Sequence, residues 1–130
     1  HSRRIMVPVA LDVAFAAHLY GDIPTATGAA IQCVLGYAAS ANINPGRSAP
    51  SMFEPVHGSA PDIAHLGIAN PIAAIWSGAM MLEHLGEPEA AKAIIRAIEK
   101  VLTDPKLRTR DLKGSANTES CGKAVADALG

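Results

Sequence analysis

Apolar positions along the chain change period several times, and each change predicts a different element. In "RIMVPVALDVAFAA" they run nearly continuously and are rich in Val, Ile and Phe, so "LDVAFAA" reads as a buried strand ahead of the turn at "YGD". The small-residue run from Thr27 to Leu35, "TGAAIQCVL", predicts a helix ended by Gly36, and "PSMFEPV" predicts a short strand. A helix is expected from Asn70 as N-cap, with Pro71 where a missing N–H costs nothing, to Leu85 before Gly86. Its apolar residues Ile72, Ile75, Trp76, Ala79, Met80 and Leu82 lie almost all round it, which predicts a central helix buried on several sides.

A second amphipathic helix follows in "EPEAAKAIIRAIEKVL". Pro88 sits in its first turn, and Ala91, Ile94, Ile95, Ile98, Val101 and Leu102 recur at three- and four-residue spacing opposite Lys92, Arg96, Glu99 and Lys100. "TDPKLRTRDLKGSA" reads as a loop with a short extended piece, and "NTESCGKAVADAL" as a third helix capped by Asn117 or Thr118. Alternating strands and helices make the fold class α/β.

Bulk properties then remove whole classes of function. With 130 residues, 49% hydrophobic and 18% charged, the chain has the length and apolar content of one globular domain. A net charge of −1 and 4% aromatic residues leave no basic, ring-bearing footprint for nucleic acid. "NPIAAIWSGAMML" is too short and too mixed to span a bilayer, and Arg3 and Arg4 belong to no signal peptide, so neither membrane nor export is expected. Cys33 and Cys121 stand far apart without a CxxC or His pair, which fits neither a disulfide scaffold nor a zinc site and favours a cytoplasmic, reducing setting.

The chemistry concentrates in "EPVHGSAPDIA", Glu54 to Ala64, between the predicted strand and the Asn70 helix. Gly58 lets the backbone approach a ligand, Ser59 offers a hydroxyl and an N–H, and Pro61 fixes the chain so that Asp62 is presented. A carboxylate there can accept two hydrogen bonds from a vicinal diol and repel a phosphate on either hydroxyl, which favours NAD over NADP. The Asn70 amide has the donors and acceptor needed at the edge of an adenine ring, and His57 can donate to a phosphate or ribose oxygen. The same residue types also build a plain connector whose Asp caps a turn, and spacing alone leaves both readings open.

The stretch "EPVHGSAPDIAHLGIANPIAAIWSGAMMLEHLG" resembles the coenzyme loop and following helix of the isocitrate and isopropylmalate dehydrogenase family, the β-decarboxylating dehydrogenases. The wording is most similar to the tartrate, D-malate and isopropylmalate branch. "LDVAFAAHLYGDI" and "RTRDLKGSANTESCGKAVADAL" resemble the family's strand and turn before its metal site and its closing segment. The likeness covers nearly the whole chain but only the C-terminal third or so of such an enzyme.

The resemblance implies an isopropylmalate dehydrogenase-like fold rather than a classical Rossmann domain. Residues 1–36 would contribute a strand and helix to the smaller substrate and dimerisation half, and residues 37–130 the coenzyme-binding part of the larger half. Glu54, His57, Gly58, Ser59, Ala60, Pro61 and Ile63 would line the NAD site, with Asp62 on the adenosine ribose and Asn70 at the adenine. For the metal, the family pattern Gly-Asp-Ile-Leu-Ser-Asp is met only in part by "GDIPTATG". Asp22 matches the first carboxylate, Ala26 stands at the second, and Pro24 disturbs the turn, so Mg²⁺ or Mn²⁺ would bind weakly. A lone Asp22 also fits an N-cap or turn residue.

His18 and Leu66 depart from the family pattern too; His18 and His65 read as ordinary loop histidines. The family's catalytic Lys and Tyr and its substrate-clamping arginines match no position, and Arg3, Arg4, Lys92, Arg96, Arg108 and Arg110 read as surface charges. Two functions follow. One is part of an NAD-dependent oxidoreductase that oxidises and decarboxylates a small 2-hydroxy dicarboxylic acid such as tartrate, D-malate or 3-isopropylmalate, silent as an isolated chain. The other is a non-catalytic NAD-binding or assembly module of the same fold. Family enzymes are dimers, so apolar surface over Thr27 to Leu35 would favour self-association into a homo-oligomer.

Overall fold

The computed structural model describes Ile23, Thr27 and residues 35–130. The chain divides into two compact units, His1–Leu35 and Gly36–Gly130. In the first, Ile23 and Thr27 are helical and the Thr27 hydroxyl donates to the Ile23 carbonyl at 2.7 Å. The expected "LDVAFAA" strand, most of the Thr27–Leu35 helix, and Asp22, Ala26 and His18 lie outside the described residues.

The second unit opens on a 3-10 turn, Leu35–Tyr37, so Gly36 lies within a turn. Strand β1 (Ala39–Asn42) follows and pairs antiparallel with β2 (Met52–Pro55), Ala41 facing Phe53. The "MFEP" strand was legible in its sequence. Its partner, "ASAN", was not, because small residues carry little strand propensity and only the pairing makes it a strand.

Helix α1 spans Ile72–Leu85. Pro71 already has helical dihedrals (φ −84, ψ −7), and the Asn70 Oδ1 accepts from the Ile72 N–H at 2.9 Å, which gives Asn70 the capping role expected of it. At the other end Gly86 takes φ 95, its N–H donates to the Glu83 carbonyl, and the Glu87 N–H donates to the Leu82 carbonyl at 2.9 Å. That Schellman arrangement satisfies carbonyls the helix leaves open and turns the chain straight into α2 (Pro88–Thr103).

Helix α1 lies between the strand pair and α2, and α2 packs in turn on α3 (Thr118–Leu129). Burial on several sides holds for Ile72, Ala73, Ser77 and Ala79, whereas Met81 and Leu85 are exposed. The core joins Ile72 to Ala97, Ile98 and Val101 of α2 and to Cys121 and Val125 of α3. Tyr37 meets Trp76 edge to face at 5.3 Å, which binds the opening turn to α1.

Between α2 and α3 the chain doubles back. Thr109 bridges Ala116 in parallel, the extended piece expected there, around a 3-10 turn at Arg110–Leu112. Arg108 corrects the reading of it as a surface charge. It is half-buried, and its Nε donates to the Leu102 carbonyl at 2.6 Å, closing the last turn of α2. Asn117, the first of the two expected caps, caps α3 in a reciprocal box with Ser120. Among the described residues no helix is long and apolar enough to cross a membrane.

Candidate nucleotide cleft

The loop after β2 is built by backbone hydrogen bonds. Ala60 takes a left-handed conformation (φ 43, ψ 62), Pro61–Ile63 form a 3-10 turn, and the Ile63 and Ala64 N–H groups donate to the Ala60 and Pro61 carbonyls. A non-glycine residue with positive φ costs on the order of 1 kcal/mol, so the surrounding contacts must hold it there. His65 (φ 66) and Gly67 (φ 64) repeat the left-handed conformation further along. The loop therefore carries three left-handed residues, Ala60, His65 and Gly67, around the 3-10 turn that Pro61 opens and on which Asp62 is presented.

This loop forms one wall of an open cleft of about 840 Å³, a volume in the usual range for small-molecule sites. His57, Gly58, Ser59, Ala60 and Ile63 line it, and Asn70 closes one side. Open space lies where a side chain on Gly58 would point, so a ligand can approach the backbone there. The His57 ring lies 3.1 Å from the Gly58 carbonyl through Nδ1 and is exposed, leaving Nε2 to face solvent or ligand.

Three of the expected residues stand outside the lining. Glu54 is on β2, exposed and opposite Ser40. Pro61 and Asp62 sit on the 3-10 turn between the lining residues Ala60 and Ile63, both exposed, and among the described residues no hydrogen bond engages the Asp62 carboxylate. It is held on a short, tied turn with its oxygens open.

The structure adds lining residues that the sequence reading had not picked out, among them Gly36, Gly67, Asp111 and Thr118. They come from the opening turn, the end of the loop, the doubled-back segment and the first residue of α3. Asn70 joins them: its Nδ2 donates to Asp111 Oδ2 at 2.8 Å, and the Thr109 hydroxyl donates to the other Asp111 oxygen. Thr118 ties the loop end from below, its N–H donating to the Gly67 carbonyl at 2.8 Å and its hydroxyl to that of Ala69. No local pattern links positions so far apart, and from sequence "TDPKLRTRDLKGSA" read only as a loop with a short extended piece.

Beneath the cleft, Cys121 is wholly buried. Burial pushes its thiol pKa up, and the nearby negative charge of Asp111 adds to the rise, so the thiolate is disfavoured. Among the described residues no group of three or more His, Cys, Asp or Glu side chains is placed to hold a metal ion.

The family model described as isocitrate/isopropylmalate dehydrogenase matches residues 3–125. The D-malate dehydrogenase [decarboxylating] of Escherichia coli K12 is 49% identical over 98% of this chain and 36% of its own length. The tartrate dehydrogenase/decarboxylase of Pseudomonas putida is 46% identical, with the same 98% and 36% coverage. Among solved structures, an isocitrate dehydrogenase from Methylococcus capsulatus superposes with a TM-score of 0.89 at 42% identity, covering 98% of this chain and 38% of that one. The chain thus spans little more than a third of these relatives.

Proposed function

The chain belongs to the isocitrate/isopropylmalate dehydrogenase family, and from that membership we propose that it is the coenzyme-binding portion of an NAD-dependent dehydrogenase acting on a small 2-hydroxy dicarboxylic acid. Relatives named for tartrate and D-malate favour those acids, with 3-isopropylmalate as the neighbouring chemistry, and oxidation coupled to decarboxylation as the reaction. The observation that carries this reading is the ordered His57–Ile63 wall of the cleft, with an Asp62 carboxylate at its turn that no described residue engages.

In this reading the adenosine ribose lies against Asp62, whose two oxygens accept from the diol and whose charge disfavours a 2′-phosphate. Gly58 and Ser59 bring backbone and hydroxyl to the nucleotide, Asn70 stands at the adenine, and Glu54 and Pro61 support the loop from outside the lining. NAD, when bound, supplies a hydride acceptor. Asp22 is the one residue of this chain proposed to meet Mg²⁺ or Mn²⁺, and with Ala26 in place of a second carboxylate the ion would be held weakly. Residues 37–130 form the coenzyme part and residues 1–36 belong to the substrate and dimerisation half of a cytoplasmic homo-oligomer.

The Ala26 substitution favours a second reading, a non-catalytic module of the same fold. Calorimetric titration with NAD and NADP, with and without Mn²⁺, tests both. NAD binding, weaker NADP binding, and loss of the preference in Asp62→Ala are expected. No binding of either nucleotide would sink the coenzyme reading, and NAD binding that Mn²⁺ leaves unchanged would mean a working coenzyme cup beside a crippled metal site.

A further inference from the structure

Asn70 is only 9% exposed, and two contacts fix which way its amide faces. The Ile72 N–H can only donate, so the atom 2.9 Å from it is the amide oxygen. The carboxylate of Asp111 can only accept, so the atom 2.8 Å from it is the amide nitrogen. Both contacts select the same orientation, and one Nδ2 hydrogen remains uncommitted beside the cleft.

Asp111 is itself placed by a part of the chain remote from the coenzyme loop. Its second oxygen accepts from the hydroxyl of Thr109, which is wholly buried. Gly36 packs so closely that a Cβ there would lie 3.0 Å from Asp111 Oδ2 and 3.3 Å from the Asn70 Cβ. The carboxylate is therefore held by Thr109 in a setting that would not easily admit a side chain at Gly36.

We propose that Asp111 is a positioning residue for nucleotide binding: it holds the Asn70 amide so that the free Nδ2 hydrogen is offered to a ring-nitrogen acceptor of a purine in the cleft. The inference rests on the reading of this cleft as the nucleotide site. Without Asp111 the amide keeps its bond to Ile72 but loses its second anchor, and the orientation must be fixed at the moment of binding, at a cost in affinity. Asp111 acts through Asn70, which separates this role from a direct contact between Asp111 and ligand.

The test is a double-mutant cycle in NAD affinity with Asp111→Ala, which removes the acceptor, and Asn70→Ser; serine still caps the helix but has no amide to orient. Each single variant is expected to bind NAD about tenfold more weakly, the scale of one hydrogen bond to a charged group. The double variant should bind no more weakly than Asn70→Ser alone. Losses that add in a chain that binds NAD overturn the role of Asp111 while leaving the nucleotide reading intact. Failure of the unaltered chain to bind NAD overturns the nucleotide reading, and this role with it. A second readout needs no variant: in nuclear magnetic resonance the Asn70 amide proton bonded to Asp111 should exchange with solvent more slowly than its partner on the same nitrogen, and equally fast exchange of both would overturn the proposal outright.

Discussion

Thr118 donates its backbone N–H to the Gly67 carbonyl at 2.8 Å, so the first turn of the last helix holds the end of the loop that follows β2. The same residue's hydroxyl reaches the Ala69 carbonyl. Two bonds from one residue thus set where the chain enters Asn70 and α1.

Replacing Thr118 with Val keeps the shape and the N–H but removes the hydroxyl. The expected loss is about 1 kcal/mol of stability, since the Ala69 carbonyl keeps some access to water. Amide exchange across Gly67–Asn70 should quicken while the α2 amides stay protected. Uniform exchange across both would show that this tie does not govern the loop.

Gly114 is required by contact. A Cβ there would lie 2.0 Å from the Arg108 carbonyl oxygen, a distance no packing adjustment of a side chain relieves. Gly114→Ala should therefore cost at least about 2 kcal/mol in chemical denaturation, through backbone displacement. Because Asp111 rides on this segment, NAD affinity should fall with it; a neutral substitution would mean that the doubled-back segment is softer than its geometry implies.

Cys121 makes stability depend on alkaline pH. With its pKa raised in the folded chain, the thiol's contribution is fully present below the ordinary thiol value, about 8.5, and is lost as pH rises through the folded value. The unfolded chain ionises first and is stabilised. Denaturation midpoints should therefore fall above that pH, and Cys121→Ala, at a packing cost of about 1 kcal/mol, should flatten that part of the profile. An equally steep profile in the variant would place the titration elsewhere.

Asn117→Ala removes one half of the α3 capping box and should lower stability by about 1 kcal/mol, with Asn117→Ser close to unchanged. Thermal melts of the two variants decide it. Equal losses in both would mean that the side-chain acceptor is not what matters at this position.

Much of this was written locally. Asn70, Pro71 and Gly86 announced α1 because capping and positive φ are properties of single residues, and the Ile and Val spacing of α2 announced which face is buried. "HGSAPD" announced a polar loop for the same reason. Helix existence, helix ends and the loop's chemistry were determined by the sequence itself. Tertiary structure alone decided that "ASAN" is a strand, that Arg108 closes a helix, that Ala60 takes the left-handed conformation, and that Asp111 meets Asn70. The strand pairing and the Asp111–Asn70 bond depend on partners distant along the chain, and the free energy of such a pairing is invisible until folding brings both ends together.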